Sequence, residues 1–185
     1  EYTAIAVGDV AAPISALVVA NPSNVAIPAG NFRAQVVHVA PDAPPVDVYV
    51  TTFDADLAAA TPINEVVEPL GPLAYQGSTA QLEVAAGDYQ IRVTEAGDPA
   101  AIVYDSGEIT LAAGVDLLIA AVENTGPGTR PIQLVVLDGA GSSDLLDAAT
   151  PAAGYAVHAS PDAGNVDILA DDVATPADDA IPLAV

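Results

Sequence analysis

The amino-acid sequence predicts an all-β protein, an antiparallel β-sandwich of the Ig-like or transthyretin-like kind, repeated in tandem with a period of about 120 residues. Short apolar runs alternate with polar residues, as in half-buried strands, and most of the 16 Pro and 14 Gly fall between these runs. No long segment keeps a helical period. The chain is 52% hydrophobic but only 4% aromatic, so its core consists of Val, Ile, Leu and Ala, which suits stacked strands.

Seven runs justify the strand prediction. They lie at residues 46–50, 81–84, 89–94, 101–104, 108–111, 117–122 and 132–137, each bounded by Gly, Pro, Asn or Asp. The Gly87-Asp88 pair predicts a tight hairpin between the second and third runs. The best helical candidate is Ser143–Ala149, one or two turns that end before Pro151.

The charge excludes several classes of partner. The chain has 25 Asp and Glu against three Arg, a net charge of −22, and it contains no Lys or Cys. Nucleic acids and anionic membranes are unsuitable partners, because their binding relies on cationic side chains that neutralise phosphates. Disulfides are impossible, and no uncharged run of about 18 apolar residues predicts a membrane span. Because like charges repel, we expect salt or calcium to increase the stability of the fold.

An internal repeat organises the sequence. Val36–Val50 recurs as Ala156–Ala170 at a constant offset of 120, with seven of fifteen positions identical. Both histidines of the protein, His38 and His158, occupy the same place in the two copies. Agreement at this many positions without a gap indicates a repeat one domain long.

A weaker similarity relates the beginning of the sequence to the end of the complete repeat. Tyr2–Val7 resembles 116–121, and Leu17–Val19 resembles Leu134–Val136. These similarities predict three parts: residues 1–30 are the terminal strands of a preceding repeat, residues 31–150 a complete repeat, and residues 151–185 the first strands of a following repeat.

The two partial repeats have consequences for assembly. The sequence opens as though cut from a longer chain, so we expect a processed or excised segment. The partial ends are then covered either by neighbouring repeats of a longer protein or by strands exchanged between copies.

The repeated motif is similar to a known family. Arg33–Val50, with its His-x-x-Pro-Asp-Ala-Pro-x-Val-Asp-Val core, and Leu82–Val93 together resemble the domain of unknown function DUF4397. The resemblance implies a β-sandwich that occurs, often in tandem, in exported or surface proteins, and so an extracellular or cell-surface location. It implies no reaction. The second copy has Gly164 and Asn165 in place of Pro44 and Pro45, which predicts a more flexible loop.

We expect the polar residues of the motif to be structural. They are His38, Pro41, Asp42 and Asp47 in the first copy and His158, Pro161, Asp162 and Asp167 in the second. His38 alternates with apolar residues, which favours a packed ring bonded to a carbonyl or a carboxylate over a metal ligand or general base. Asp42 or Asp47 could be that carboxylate. Asp42 could instead bond main-chain amides in a Pro-Asp turn, and Asp47 points either to solvent or to a paired polar site.

No set of residues predicts catalysis. Ser160, His158 and Asp162 supply the residue types of a hydrolase triad, but the complete repeat has Ala40 at the serine position, so we expect no catalytic residues. Two histidines 120 residues apart without any cysteine make no recognisable zinc site.

Calcium is the one cofactor that the composition suggests, and the indication is weak because no Asp-x-Asp-x-Asp-Gly loop is present. The candidate ligands lie in turn-rich sequence and are Asp54, Asp56, Asp171 and Asp172, with Asp178 and Asp179 nearby.

Three functions are therefore considered. The first is a non-enzymatic extracellular structural or adhesive β-sandwich module of a larger acidic surface or secreted protein. The second is a subunit of an extracellular filament assembled by β-strand exchange between copies. The third is a secreted ligand-binding or carbohydrate-binding domain, which the shortage of aromatic residues makes less favourable. The expected partners are neighbouring repeats or identical subunits.

Overall fold

A computed structural model describes residues 2–8, 13–21, 25–66, 71–151, 159, 162, 169–170 and 181–182. The chain divides into two compact units, Glu1–Pro151 and Ala152–Val185. In the part of the second unit that is described, strand β11 (Leu169–Ala170) pairs antiparallel with strand β12 (Ile181–Pro182). None of the helices among the described residues is both long and apolar enough to cross a membrane.

The described part of the first unit consists of strands and one helical turn. They are β1 (Tyr2–Val7), β2 (Ser15–Ala20), β3 (Asn31–His38), β4 (Val46–Thr51), α1 (Ile63–Val66), β5 (Leu82–Ala85), β6 (Gly87–Glu95), β7 (Ile102–Leu111), β8 (Asp116–Glu123), β9 (Ile132–Leu137) and β10 (Ser142–Leu145).

These strands form three sheets. The largest has the order β10-β9-β8-β3-β5, the second has the order β4-β6-β7, and the third is the β1-β2 hairpin. Every pair is antiparallel except β3 and β8, which run parallel with Arg33 opposite Asp116 and His38 opposite Ala121. The prediction of an all-β, largely antiparallel protein is therefore confirmed.

The five-stranded and three-stranded sheets share one apolar core. The first sheet contributes Phe32, Ala34, Val36, Leu82, Leu117, Ile119, Ala121, Ile132 and Leu134, and the second contributes Val46, Val48, Ile91, Val93 and Tyr104. Tyr104 is fully buried, and its hydroxyl donates a hydrogen bond to the carbonyl of Leu145, 3.1 Å away. Its phenol thus fills the core while its hydroxyl anchors the end of β10.

The β1-β2 hairpin covers the outer face of the five-stranded sheet. Alternate residues of the hairpin, including Val7 and Val19, pack with Val37, Leu118 and Ala120 in a second apolar cluster. The residues between them face away, and Val18 is 59% exposed. Strand β3 is consequently buried on both faces, which explains why its sequence is not strictly alternating.

The predicted hairpin at Gly87-Asp88 is wrong. The run at 81–84 becomes β5, which pairs with β3, whereas Gly87 and Asp88 lie inside β6, which pairs with β4 and β7. The chain crosses between sheets at Ala86, whose N–H donates to the carbonyl of Gly30 at 2.8 Å. Alternation identified both strands, but it carries no information on which sheet each one joins.

Two further predictions need correction. The runs at 101–104 and 108–111 are one strand, β7, whose pairing with β6 shifts register twice, and Gly107 (φ 63°) lies between the two runs. The predicted helix at Ser143–Ala149 is wrong, because 142–145 pair with the exposed edge of β9 as strand β10. Tertiary strand pairing here overrides a weak local helical preference. The turn α1 was not predicted.

We predict that the hairpin is an integral part of the first unit. Val19→Asp would place a charge in the cluster beneath the hairpin, and we expect it to lower the free energy of unfolding by about 3 kcal/mol. Val18→Asp adds the same charge on the exposed face of the same strand and should change it by less than about 0.5 kcal/mol. Urea unfolding followed by circular dichroism measures both variants. Equal effects would show that the hairpin is not packed on the sheet.

Candidate functional site

The first copy of the repeated motif includes the end of β3, the loop that follows and the start of β4, and His38 is the last residue of β3. The His38 ring is fully buried, with Nε2 3.1 Å from the carbonyl oxygen of Pro44. Its Nδ1 accepts a hydrogen bond from the N–H of Ala40 at 3.3 Å. The edge of the ring also packs against Tyr75, with 6.4 Å between ring centroids. His38 therefore fastens both ends of the loop that carries the Pro-Asp pair.

These two contacts fix the tautomer of His38. A carbonyl oxygen can only accept, so Nε2 carries the proton, and Nδ1 must be unprotonated to accept from Ala40. Burial lowers the pKa of His38, and the hydrogen bond to Pro44 opposes that effect in part. Both ring nitrogens are occupied by main-chain partners. In this arrangement neither is available to bind a metal or to move a proton.

Asp42 has a different position from the one expected of a partner for His38. Asp42 is exposed, and its backbone N–H, not its carboxylate, forms the hydrogen bond. That N–H donates to Glu123 Oε1 at 3.0 Å. The carboxylate has no hydrogen-bond partner among the described residues, so the proposed bond to turn amides does not form there. The contact with Glu123 ties the motif loop to the end of β8.

Asp47 points into a paired polar site. It is 5% exposed, and its Oδ1 accepts from Asn64 Nδ2 at 3.0 Å while Oδ2 accepts from the N–H of Gly97 at 2.8 Å. The Asn64 side chain also accepts from the N–H of Val48 at 3.1 Å and donates to the carbonyl of Gly71 at 2.9 Å. This group of bonds joins β4, α1 and the turn after β6.

Asn64 is the residue that sequence reasoning missed. It is 1% exposed and satisfies backbone groups on two segments, yet it lies in a stretch without alternation or repeat. Its signal in the sequence is an Asn between Ile63 and Glu65, which fits a solvent-exposed turn equally well. Only the fold shows that α1 packs on β4 at this point.

The second copy of the motif lies mostly outside the described residues. His158, Pro161, Asp167, Asp171 and Asp172 all fall there, as does Ser160. Asp162 is described and is an exposed turn residue.

The remaining calcium candidates, Asp54 and Asp56, border a cavity of about 330 Å³. Asp56 Oδ1 accepts from the N–H of Ala58 at 3.0 Å, and Asp54 adopts a left-handed conformation with φ 57°. Arg92 also borders this cavity, and its buried guanidinium donates to Thr51 Oγ1 at 3.1 Å and to the carbonyl of Ala55 at 2.5 Å. Within the described ranges, no three His, Cys, Asp or Glu side chains converge as a metal site.

The described part of the chain thus defines an all-β protein in which a His-Pro-Asp motif organises loops. The model of the family called domain of unknown function (DUF4397) matches residues 1–49 and 54–169. The chain belongs to the DUF4397 family, as the motif suggests. No curated protein and no solved structure matches the chain.

We predict that Asp47 contributes to stability through its two hydrogen bonds. Asp47→Asn keeps the shape but turns an amide NH₂ toward one of the two donors, so we expect the free energy of unfolding to fall by about 1–3 kcal/mol. Asp42→Asn removes the same charge from an exposed carboxylate of the same motif and is the matched control. Urea unfolding of the two variants measures the difference. If the control loses as much stability, the network around Asn64 has no special role.

We predict a pH dependence that comes from His38. Because burial lowers its pKa below the usual 6.5, the unfolded state binds more protons than the folded state just below that pH. The stabilising contribution is complete above about pH 6.5 and decreases as the pH falls toward the folded-state pKa, by at most about 1.4 kcal/mol per unit.

The measurement is the free energy of unfolding of wild type, His38→Gln and His158→Gln from pH 5 to 8. The loss below about pH 6.5 should be absent from His38→Gln. The carboxylates that also titrate are the same in all three proteins, so the difference between wild type and His38→Gln isolates His38, and His158→Gln shows whether the loss is specific to that histidine. A loss of the same size in all three proteins contradicts a role for His38.

Proposed function

We propose that the chain is a non-enzymatic structural or adhesive module of an extracellular or cell-surface protein. The observation that supports this most is that the polar side chains of the motif form hydrogen bonds that stabilise the fold. His38 and Asp47 are buried. Their hydrogen bonds go to backbone groups of the adjoining loops and to the Asn64 side chain. Buried side chains that bond in this way stabilise the fold. The high negative charge would keep the folded protein in solution.

The proposal extends to the architecture. Two sheets that share an aliphatic core are consistent with a β-sandwich of the Ig-like or transthyretin-like kind. The β1-β2 hairpin supports a tandem arrangement, because it is antiparallel like the β8-β9 pair that it resembles in sequence.

The same hairpin favours a second candidate, a filament subunit that exchanges strands with neighbouring copies. In the β8-β9 pair, Ile119 and Leu134 face the core between the two sheets, and their counterparts Ile5 and Leu17 face the outside of another sheet instead. The face of the hairpin that packs on the five-stranded sheet therefore corresponds to the face of β8-β9 that packs in the main core. The hairpin acts as a covering layer, which is how repeats in a chain of subunits would contact each other.

Mass and shape test the two candidates. Light scattering and electron microscopy of the chain at physiological salt should show discrete particles of 18.4 kDa for an isolated module and fibres for the strand-exchange subunit. Either outcome agrees with a non-enzymatic role. An enzymatic turnover that His38→Gln abolishes, while the variant keeps its melting temperature, would overturn that role.

A further inference from the structure

Arg92 carries a buried positive charge that has no carboxylate partner among the described residues. It lies on β6, the middle strand of the three-stranded sheet, and is 7% exposed. The other two arginines of the protein are paired, since Arg33 lies 2.6 Å from Glu83 and Arg130 lies 3.5 Å from Asp147. An arginine keeps its charge at physiological pH, so a buried guanidinium without a counter-ion is unfavourable.

The neighbouring strand has a counter-ion that is used elsewhere. Asp105 on β7 lies directly opposite Arg92. Its Oδ1 accepts hydrogen bonds from Gln90 Nε2 and from the N–H of Gly107, both at 2.8 Å, and its Oδ2 accepts from Gln90 Nε2 at 3.0 Å. This carboxylate is therefore bound by neutral groups, and it leaves the charge of Arg92 unpaired.

The three nitrogens of the Arg92 guanidinium differ in what they contact. Nη2 donates to Thr51 Oγ1 at 3.1 Å and to the carbonyl of Ala55 at 2.5 Å. Nε is enclosed by the protein and has no hydrogen-bond partner among the described residues. Nη1 likewise has no partner among them. Because Nη2 is already bonded and Nε is enclosed, Nη1 is the nitrogen that remains for a ligand in the cavity that Arg92 borders.

The size and lining of this cavity suit a small molecule. Its volume of about 330 Å³ lies at the lower end of the range of about 300–1,000 Å³ for small-molecule sites. Asp54 and Asp56 border it and are exposed, and the Asp54 carboxylate has no hydrogen-bond partner among the described residues. Apolar surface comes from Leu57, Pro99 and Ile102.

We propose that this cavity binds a small zwitterion, a molecule with one carboxylate and one ammonium group. The carboxylate accepts from Arg92 Nη1, and the ammonium donates to Asp54 or Asp56. The charges of the lining favour this ligand over simpler ones. A carboxylate alone would meet one positive and two negative side chains in a protein of net charge −22, and an ammonium alone would leave Arg92 unpaired. A neutral ligand would balance neither charge.

This site is separate from the repeated motif and goes beyond its structural role. The residues that border the cavity all lie outside 36–50. Residues 54–58 belong to the loop between β4 and α1, and Arg92 reaches that loop from β6 through the carbonyl of Ala55. The absence of ligand binding would therefore overturn the zwitterion site and leave the proposed structural function unaffected.

Nuclear magnetic resonance tests the site directly, because a ¹⁵N-labelled chain with three arginines gives at most three Nε–H side-chain signals. The Arg92 signal and the backbone amide signals of 54–58 report on the cavity. The Nε–H of Arg33, which donates to Glu83 at 3.2 Å, is the internal control. The probes are 4-aminobutyrate, butyrate and butylammonium, which share a four-carbon chain and differ in their charged groups. Glycine and β-alanine are zwitterions with a shorter spacing between the charges.

We expect at least one of the three zwitterions to shift the Arg92 and 54–58 signals to saturation, with an affinity at least about tenfold higher than that of butyrate or butylammonium, because each charged end adds a charge-assisted hydrogen bond. The Arg33 signal should stay in place. The site is overturned by the absence of a saturable shift with any zwitterion up to about 50 mM. It is also overturned if butyrate or butylammonium binds as tightly as the zwitterions.

Paired substitutions test the ammonium end. Asp54 has a left-handed backbone with φ 57°, which Asn tolerates, so Asp54→Asn with Asp56→Asn removes two charges and keeps the loop conformation. The matched control removes two exposed carboxylates elsewhere, by Asp42→Asn with Asp144→Asn. We expect the first pair to weaken zwitterion binding at least about fivefold and the control pair to change it by less than about twofold. Equal weakening in both would assign the effect to the overall charge and overturn the site.

Discussion

The constraint on which the described fold depends is the complete burial of β3. This strand lies inside the five-stranded sheet, with the main core on one face and the β1-β2 hairpin on the other. A strand covered on both sides must satisfy its polar side chains within the protein, because an unpaired buried polar group costs about 1–3 kcal/mol. Three polar side chains of β3 are buried, those of Arg33, Gln35 and His38. Gln35 Nε2 donates to the carbonyl of Thr79 at 2.9 Å, but its Oε1 has no hydrogen-bond partner among the described residues, so only Arg33 and His38 meet the requirement in full.

Arg33 shows how the requirement is met. It lies directly opposite Glu83 on β5 and Asp116 on β8, and its guanidinium is 2.6 Å and 3.3 Å from their carboxylates. The hydrogen bond to Glu83, and the neighbouring negative charges, raise the pKa of Arg33 despite its burial. The guanidinium therefore links both neighbours of β3 at one end of the strand. His38 satisfies the other end through the motif loop, so the position of that loop follows from the burial of β3.

Much of this organisation could be predicted from sequence, and the limit of prediction has a physical cause. Alternation located 46–50, 89–94 and 132–137, because the apolar residues of each run lie on one face of the strand and pack in the main core. Alternation does not record partners, so the crossing of the chain at Ala86 and the pairing of 142–145 with β9 were missed. These features depend on which backbone edges remain unpaired after the rest of the sheet has formed.

The candidate site divides in the same way. The repeat identified His38 and Asp47, since a residue type that recurs at a fixed offset stands out without knowledge of the fold. Asn64 could not be identified, because it acts on Val48 and Gly71 through contacts that exist only when α1 packs on β4.

The distribution of charge determines how strongly two copies of the chain repel each other at the uncharged β1-β2 hairpin. A net charge of −22 makes copies repel each other over a distance set by the salt, about 30 Å at 0.01 M ionic strength and about 8 Å at 0.15 M. At low salt this repulsion acts before backbone groups on two copies can approach within hydrogen-bond range. At physiological salt it is confined to near contact, where β1 and β2 present no carboxylate of their own. Carboxylate repulsion between two copies therefore acts least at the one sheet of the first unit whose described strands carry no charge, and the difference between that sheet and the others depends on how far the salt screens the remaining charges.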